Sequence, residues 1–215
     1  MKGARGSYMT SKEARQNLLF LRNQFMCKDK WDIPYIEKQD IHGEYIEFLG
    51  FDNIKPNDFK NRNKIVHFFL DDYKFEKVYN YPQKYVDILK QYKAVLTPDF
   101  SLYSDMPLSL QLYNTFKNRW CGSYWQHNGI KVIPTISWST LESFEFCFNG
   151  IEKGSTVAVS TLGVRKVKDL FLQGYNEMMK RIQPSLVICY SKPFPEMAGN
   201  IVFVDYLITT RKKVV

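Results

Sequence analysis

The sequence predicts an α/β protein. Repeated βα units would lay down a parallel sheet, either an incomplete or irregular (β/α) barrel or an open sheet, with an N-terminal helical extension. Three observations predict this. Apolar runs such as IVHFFL, KAVL, STVAVS and SLVICY are nearly continuous, as strands buried on both faces require. Stretches with helical spacing of apolar residues alternate with them. Proline and glycine punctuate the joins.

Taken in order, residues 1–26 read as a basic segment plus a helix. Thr10 and Glu13 form a capping-box pattern, and Leu18, Leu19, Leu21, Phe25 and Met26 suit one face of a helix over about 11–25. Residues 27–215 read as a single α/β domain whose repeats span 65–206. YIEFLGF at 45–51 is a further strand candidate, and DNIKPNDFKNRNK is polar and turn-rich. A strand is expected over 65–73. Pro82 then opens a helix, and KAVLTPDF is the second strand. Pro107 opens a longer helix that closes near Asn128-Gly129, with Asp105 as its N-cap. Strands at 130–138, 155–161, 185–190 and 200–206, a short helical segment after 138 and a helix over 167–182 complete the reading. Five of these strands are well marked, and the end strand and an N-terminal one bring the number to six or seven.

Composition bounds the function. Hydrophobic residues make up 45% of the 215, enough for a sizeable core, and aromatic residues reach 16%. The net charge of +8 favours anionic partners such as nucleic acid or nucleotides, or else serves solubility. Basic residues gather at both ends, with Arg211, Lys212 and Lys213 among the last five residues. The four cysteines are far apart, so no zinc ribbon is signalled, and Cys147 and Cys189 sit in apolar runs. No apolar stretch reaches the ~18–20 residues of a membrane span, and no signal-peptide core is evident. These features point to a cytoplasmic protein without membrane partners. There is no GxGxxG, no P-loop and no GxSxG. His42, His67 and His127 lack metal-ligand spacing, and His67 reads as a core or pleat residue.

In parallel βα sheets, sites form at the C-terminal strand ends. The polar groups just beyond the successive apolar runs are Asp71-Asp72, Asp99, Ser137-Trp138-Ser139, Ser160-Thr161-Leu162-Gly163 and Tyr190-Ser191-Lys192. These clusters would line one rim. Asp99 and Asp72 are the catalytic candidates, set against the reading of Asp99 as an Asx-turn former. They are also the pair that would hold Mg²⁺. Trp138, Ser160, Thr161, Tyr190 and Tyr103 are the ligand-binding candidates. Arg165 and Lys166, where a helix begins after Gly163, suit phosphate, and so does Arg119. Gln111 and Asn114 share one face of the long helix, which reads as solvated. A competing reading has that helix present Arg119, Trp120, Tyr124 and Trp125 to a base or phosphate.

The phrases TPDFSLYSDMP, GIKVIPTISW, SFEFCFNGIEKGSTVAVSTLG and EMMKRIQP are similar to those of the domain-of-unknown-function family 4417, over about residues 65–195. The resemblance implies a protein of phages, plasmids or other mobile elements, acting in replication or against host defence. This chain has Asn149 where the family commonly carries an acid, so no carboxylate role is expected there. The leading expectation is binding of nucleic acid or a nucleotide-like anion at the strand-end rim. A hydrolase or transferase acting on phosphate or sugar bonds, metal- or acid/base-dependent, is the alternative. A factor that binds a host protein is the third.

Overall fold

The computed structural model describes residues 10–39, 41, 46–205 and 207. Seven strands run parallel and are laid down in chain order: β1 (Phe48–Gly50), β2 (Ile65–His67), β3 (Ala94–Leu96), β4 (Val132–Ile133), β5 (Thr156–Ser160), β6 (Leu186–Tyr190) and β7 (Ile201–Val204). Ladders join β1 to β4 and β5 to β7. A parallel bridge between Thr135 and Ala158 links the two sets, with Ala158 N–H donating to Pro134 O at 2.8 Å and Ile136 N–H to Ala158 O at 2.8 Å.

This order without a reversal is that of a barrel, since a doubly wound sheet would invert part-way. The alternation of side chains supports it. One face of the strands supplies a single interior cluster that includes Phe48, Ile65, Ala94, Leu96, Ile133, Ala158, Ile188, Tyr190 and Val204. Phe48 of β1 meets Tyr190 of β6 with ring centroids 5.9 Å apart, so the sheet curls until its two halves touch inside. No ladder joins β7 to β1 among the described residues. The outcome is an open seven-stranded (β/α) barrel.

The outward faces bury against helices. Val66, Val95 and Val132 pack on Trp120, Cys121 and Trp125 of α6 (Leu108–His127). Val157, Val159, Val187 and Cys189 pack on Phe171, Tyr175, Met178 and Ile182 of α7 (Lys168–Ile182). Trp138 lies against α7 at Gly174, where an added Cβ would collide with its ring. Gly174→Ala is therefore expected to cost about 1–3 kcal/mol by overpacking, read as a lowered urea midpoint with the slope unchanged. A wild-type midpoint would mean that Trp138 has room to move.

The expected helix over 11–25 is two short ones, α1 (Ser11–Gln16) and α2 (Leu18–Leu21). Asn17 breaks it, because its side chain accepts from Leu19 N–H and so caps a new helix. Arg22, in the left-handed region at φ 55°, ends α2 and places its guanidinium 3.9 Å from the Trp120 ring centroid. The region after β2 also breaks up, without side-chain caps, into α3 (Asp72–Phe75), α4 (Lys77–Asn80) and α5 (Val86–Leu89). Asp105 is not the cap of α6. Pro107 takes that position without a side-chain hydrogen bond.

Candidate functional site

The barrel mouth is built by the segment 97–107, which crosses from β3 to α6. Thr97 N–H still donates to Ile133 O, at 3.0 Å, and Pro98 then removes the next donor. From there the chain is held by α6. Asn118 Nδ2 donates to Pro98 O at 2.7 Å, Asn114 Nδ2 to Ser101 O at 2.7 Å, and Gln111 Nε2 to Met106 O at 2.8 Å and Tyr103 O at 3.1 Å. These amides recur along one side of the helix, and all three are buried. The polar face expected to meet solvent therefore turns inward, as a row of clamps on a loop that has no ladder of its own.

Asp99 is fixed by this row. Asn118 also donates to Thr135 O at 3.3 Å, so one amide ties the residue before Asp99 to the end of β4. Ser137, two residues beyond Thr135, lies near the Asp99 carboxyl and favours its charged form. Removal from water outweighs this and pushes the carboxyl up to about 7, and the nearby Asp72 charge adds to the rise. Asp72, the first residue of α3, accepts from Ser101 Oγ at 2.9 Å and from Ser101 N–H at 3.1 Å. Ser101 Oγ also lies 3.1 Å from the exposed Tyr103 hydroxyl. Asp72, Asp99 and Tyr103 thus come together as one polar group. A carboxyl poised near neutrality beside a second acid can give and take a proton at working pH.

Lys117 stands behind this group, with its ammonium 4.0 Å from the Phe100 ring centroid. Burial pulls its pKa down, while Glu76 and Asp72 hold it up. The sequence reading misses it because a lysine on a surface helix usually faces water. Mg²⁺ is commonly held by one or two carboxylates, with water and substrate phosphate completing its shell. Asp72 and Asp99 would supply those two. No group of three His, Cys, Asp or Glu side chains suited to a metal ion forms among the described residues.

Strand register sorts the other candidates. Ser160, Tyr190 and Val204 share one row across β5, β6 and β7. The Thr135–Ala158 bridge brings Ser137 alongside Ser160 on the same inward face. Ser160 Oγ accepts from Leu162 N–H at 3.1 Å. Tyr190 is 1% exposed and stacks on Phe69, with centroids 4.7 Å apart. His67 joins this aromatic layer, 5.0 Å from the Tyr190 ring. Its Nδ1 accepts from Phe69 N–H at 3.2 Å, and burial lowers its pKa to about 4, so it is a neutral core histidine at pH 7. Trp138, expected as a wall of the cleft, packs instead on Phe171 and Phe148, outside the inner row.

Arg119 corrects the reading most. It is 2% exposed, and its donors go to Cys147 O at 2.6 Å, Asn149 O at 3.0 Å, Thr135 O at 3.2 Å and Asn118 Oδ1 at 2.5 Å. Burial lowers its pKa to about 10. With its donors so committed and no surface to meet a ligand, it leaves the phosphate-binding set and becomes the buttress of the Asn118 clamp.

Arg165 and Lys166 do line a cavity. It measures about 670 Å³ and lies on the helix side of the ends of β5, β6 and β7. Its lining includes Thr161, Leu162 and Gly163, then Ser191 and Lys192, then Phe203, Asp205 and Leu207. Thr161 Oγ1 is committed to Lys192 O at 2.8 Å, so Thr161 shapes the cavity and does not reach into it. The expected single rim is therefore two sites: an inner acidic mouth at β3–β4 and an outer basic pocket at β5–β7.

Such features define a parallel (β/α) barrel protein whose polar rim is divided between an acidic mouth and a basic pocket. A family model described as "Domain of unknown function (DUF4417)" matches residues 25–207, and the chain belongs to that family. The match takes in β1 and the segment before it, beyond the span that the sequence phrases suggest. The chain is 40% identical over 196 residues to the "Gene 1 protein" of Mycobacterium phage L5, covering 89% of this chain and 85% of the relative. It is 36% identical over 208 residues to the "Gene 1 protein" of Mycobacterium phage D29, covering 89% and 72%. No solved structure matches. Among the described residues, no helix is long and apolar enough to cross a membrane.

Proposed function

We propose that this protein binds a phosphate-bearing, nucleotide-like ligand at the C-terminal rim of its barrel, in the outer pocket. The observation that carries the reading is a set of cations without ion pairs, in excess over the one carboxylate, Asp205, that shares their cavity. Arg165, Lys166 and Lys192 line the cavity, and none of them forms an ion pair among the described residues. Their neighbour Lys168, outside the cavity lining, is neutralised by Glu196 at 2.5 Å. Three cations sharing a concave surface raise the local potential and favour a multiply charged anion.

The test is calorimetric titration at low salt with pyrophosphate as the probe. Saturable binding is expected, and the Arg165→Ala/Lys166→Ala double variant should weaken it at least tenfold. Equal affinity in the double variant, or no binding to the wild type, would sink the reading. A second reading, hydrolysis or transfer at a phosphate or sugar bond, is favoured by Asp99, held near neutrality beside Ser137. In that case Asp99→Asn abolishes turnover and leaves pyrophosphate binding unchanged.

A further inference from the structure

We infer that the outer pocket takes a single nucleotide, a nucleoside monophosphate or a close relative, and not a nucleic-acid strand; this rests on the anion-binding reading above. The pocket has three chemically distinct parts. The 163–166 loop and Lys192 are cationic, Asp205 at the end of β7 is anionic, and Leu162, Phe203 and Leu207 are apolar.

Electrostatics assigns the parts. A phosphate is repelled by Asp205 and drawn to the cationic side. Gly163 there has φ 82°, and nothing lies within 4 Å of where its Cβ would be, so the backbone is open to close approach. A carboxylate is an acceptor only, so Asp205 suits the hydroxyl of a sugar. One of its oxygens already accepts from Leu207 N–H at 2.9 Å, which fixes the side chain at the rim. Phe203 points away from the barrel interior and is 47% exposed, a high value for a phenylalanine on a strand. A planar base covering that ring would gain the stacking and burial that water denies it.

Size and pattern favour one nucleotide. A volume of about 670 Å³ falls within the usual range of small-molecule sites, roughly 300–1,000 Å³. Strand-binding folds instead present a groove for about four or more nucleotides with several stacking rings. Among the described residues this lining holds one ring, Phe203.

The experiment is calorimetric titration of the full chain with the ribo- and deoxyribonucleoside 5′-monophosphates. Pyrophosphate and a 5′-phosphorylated ten-nucleotide strand serve as comparisons. At least one mononucleotide should bind tenfold or more tightly than pyrophosphate. Asp205→Asn and Phe203→Ala should each remove most of that advantage. Pyrophosphate binding should persist in both, unchanged in Phe203→Ala and tighter in Asp205→Asn, where the repelling carboxylate is gone, which also shows that the variants are folded. Mononucleotides no tighter than pyrophosphate would overturn the inference while the anion site stands. A strand binding far more tightly, with a steep salt dependence, would overturn it in favour of nucleic acid. Loss of pyrophosphate binding itself would remove both readings.

Discussion

Arg119→Met is expected to cost about 3–5 kcal/mol of folding stability, although Arg119 reads as a surface cation in the sequence. Methionine fills a similar volume and supplies no donor. Thr135 O would keep its hydrogen bond from Asn118. Cys147 O, Asn149 O and Asn118 Oδ1 would each lose the bond that Arg119 supplies. A buried acceptor left unpaired costs about 1–3 kcal/mol. Relief of the desolvated guanidinium offsets part of that sum, because a buried cation is itself expensive. Lysine should rescue little, since one ammonium cannot serve acceptors on three sides of a planar fork. Urea unfolding measures both variants. A loss below about 1 kcal/mol for Arg119→Met would show that water replaces the guanidinium and that the buttress is dispensable.

The same residue shows why parts of this protein are legible in the sequence and parts are not. Apolar runs and helical spacing report burial of hydrophobic faces, and there the sequence reading comes close. The helix expected over 167–182 is α7, Lys168–Ile182, and the strand expected over 185–190 is β6, Leu186–Tyr190. The conclusion that strand ends carry the polar groups also follows from that logic, which is why Asp99, Asp72, Arg165 and Lys166 can be named. The polar side of α6 is misread because periodicity cannot tell a face turned to water from one turned to buried carbonyls. What distinguishes them is the partner. Segment 97–107 leaves the sheet at Pro98 and needs donors, and only a helix rich in amides at successive turns supplies them. The break at Asn17 is hidden for a related reason, because asparagine fits a helix surface poorly and a cap well. The division of the rim into an inner and an outer site depends on strand register, which no local pattern in the chain encodes.

Asp99 and His67 should give the stability curve two opposed limbs, and single variants will separate them. Asp99 titrates near 7 in the folded protein and at about 3.9 when unfolded. Below pH 4 it is protonated in both states and has no effect. As pH rises from 4 to 7, the unfolded chain releases this proton first, so stability falls, by about 2–4 kcal/mol when complete. His67 runs the other way. Its folded value of about 4 lies below the unfolded 6.5, so its contribution is present above pH 6.5 and is lost as pH falls towards 4. Between pH 4 and 6.5 the two slopes oppose each other, and the wild-type curve should be nearly flat in their joint contribution. Asp99→Asn removes one limb and keeps an acceptor near Ser137. Relative to wild type, it should be stabilised by about 2–4 kcal/mol at pH 8 and by little at pH 4. His67→Gln should show a difference curve of opposite sign, gaining on the wild type as pH falls below 6.5. Urea unfolding at pH 4, 6 and 8 provides both curves. Asp99→Asn equal to or less stable than wild type at pH 8 would mean that Asp99 ionises at no cost. The mouth would then lack the near-neutral carboxyl on which any proton transfer there depends. Stabilisation by Asp99→Asn would instead show a barrel that gives up several kcal/mol to hold one carboxyl at its mouth, a cost that packing alone does not explain.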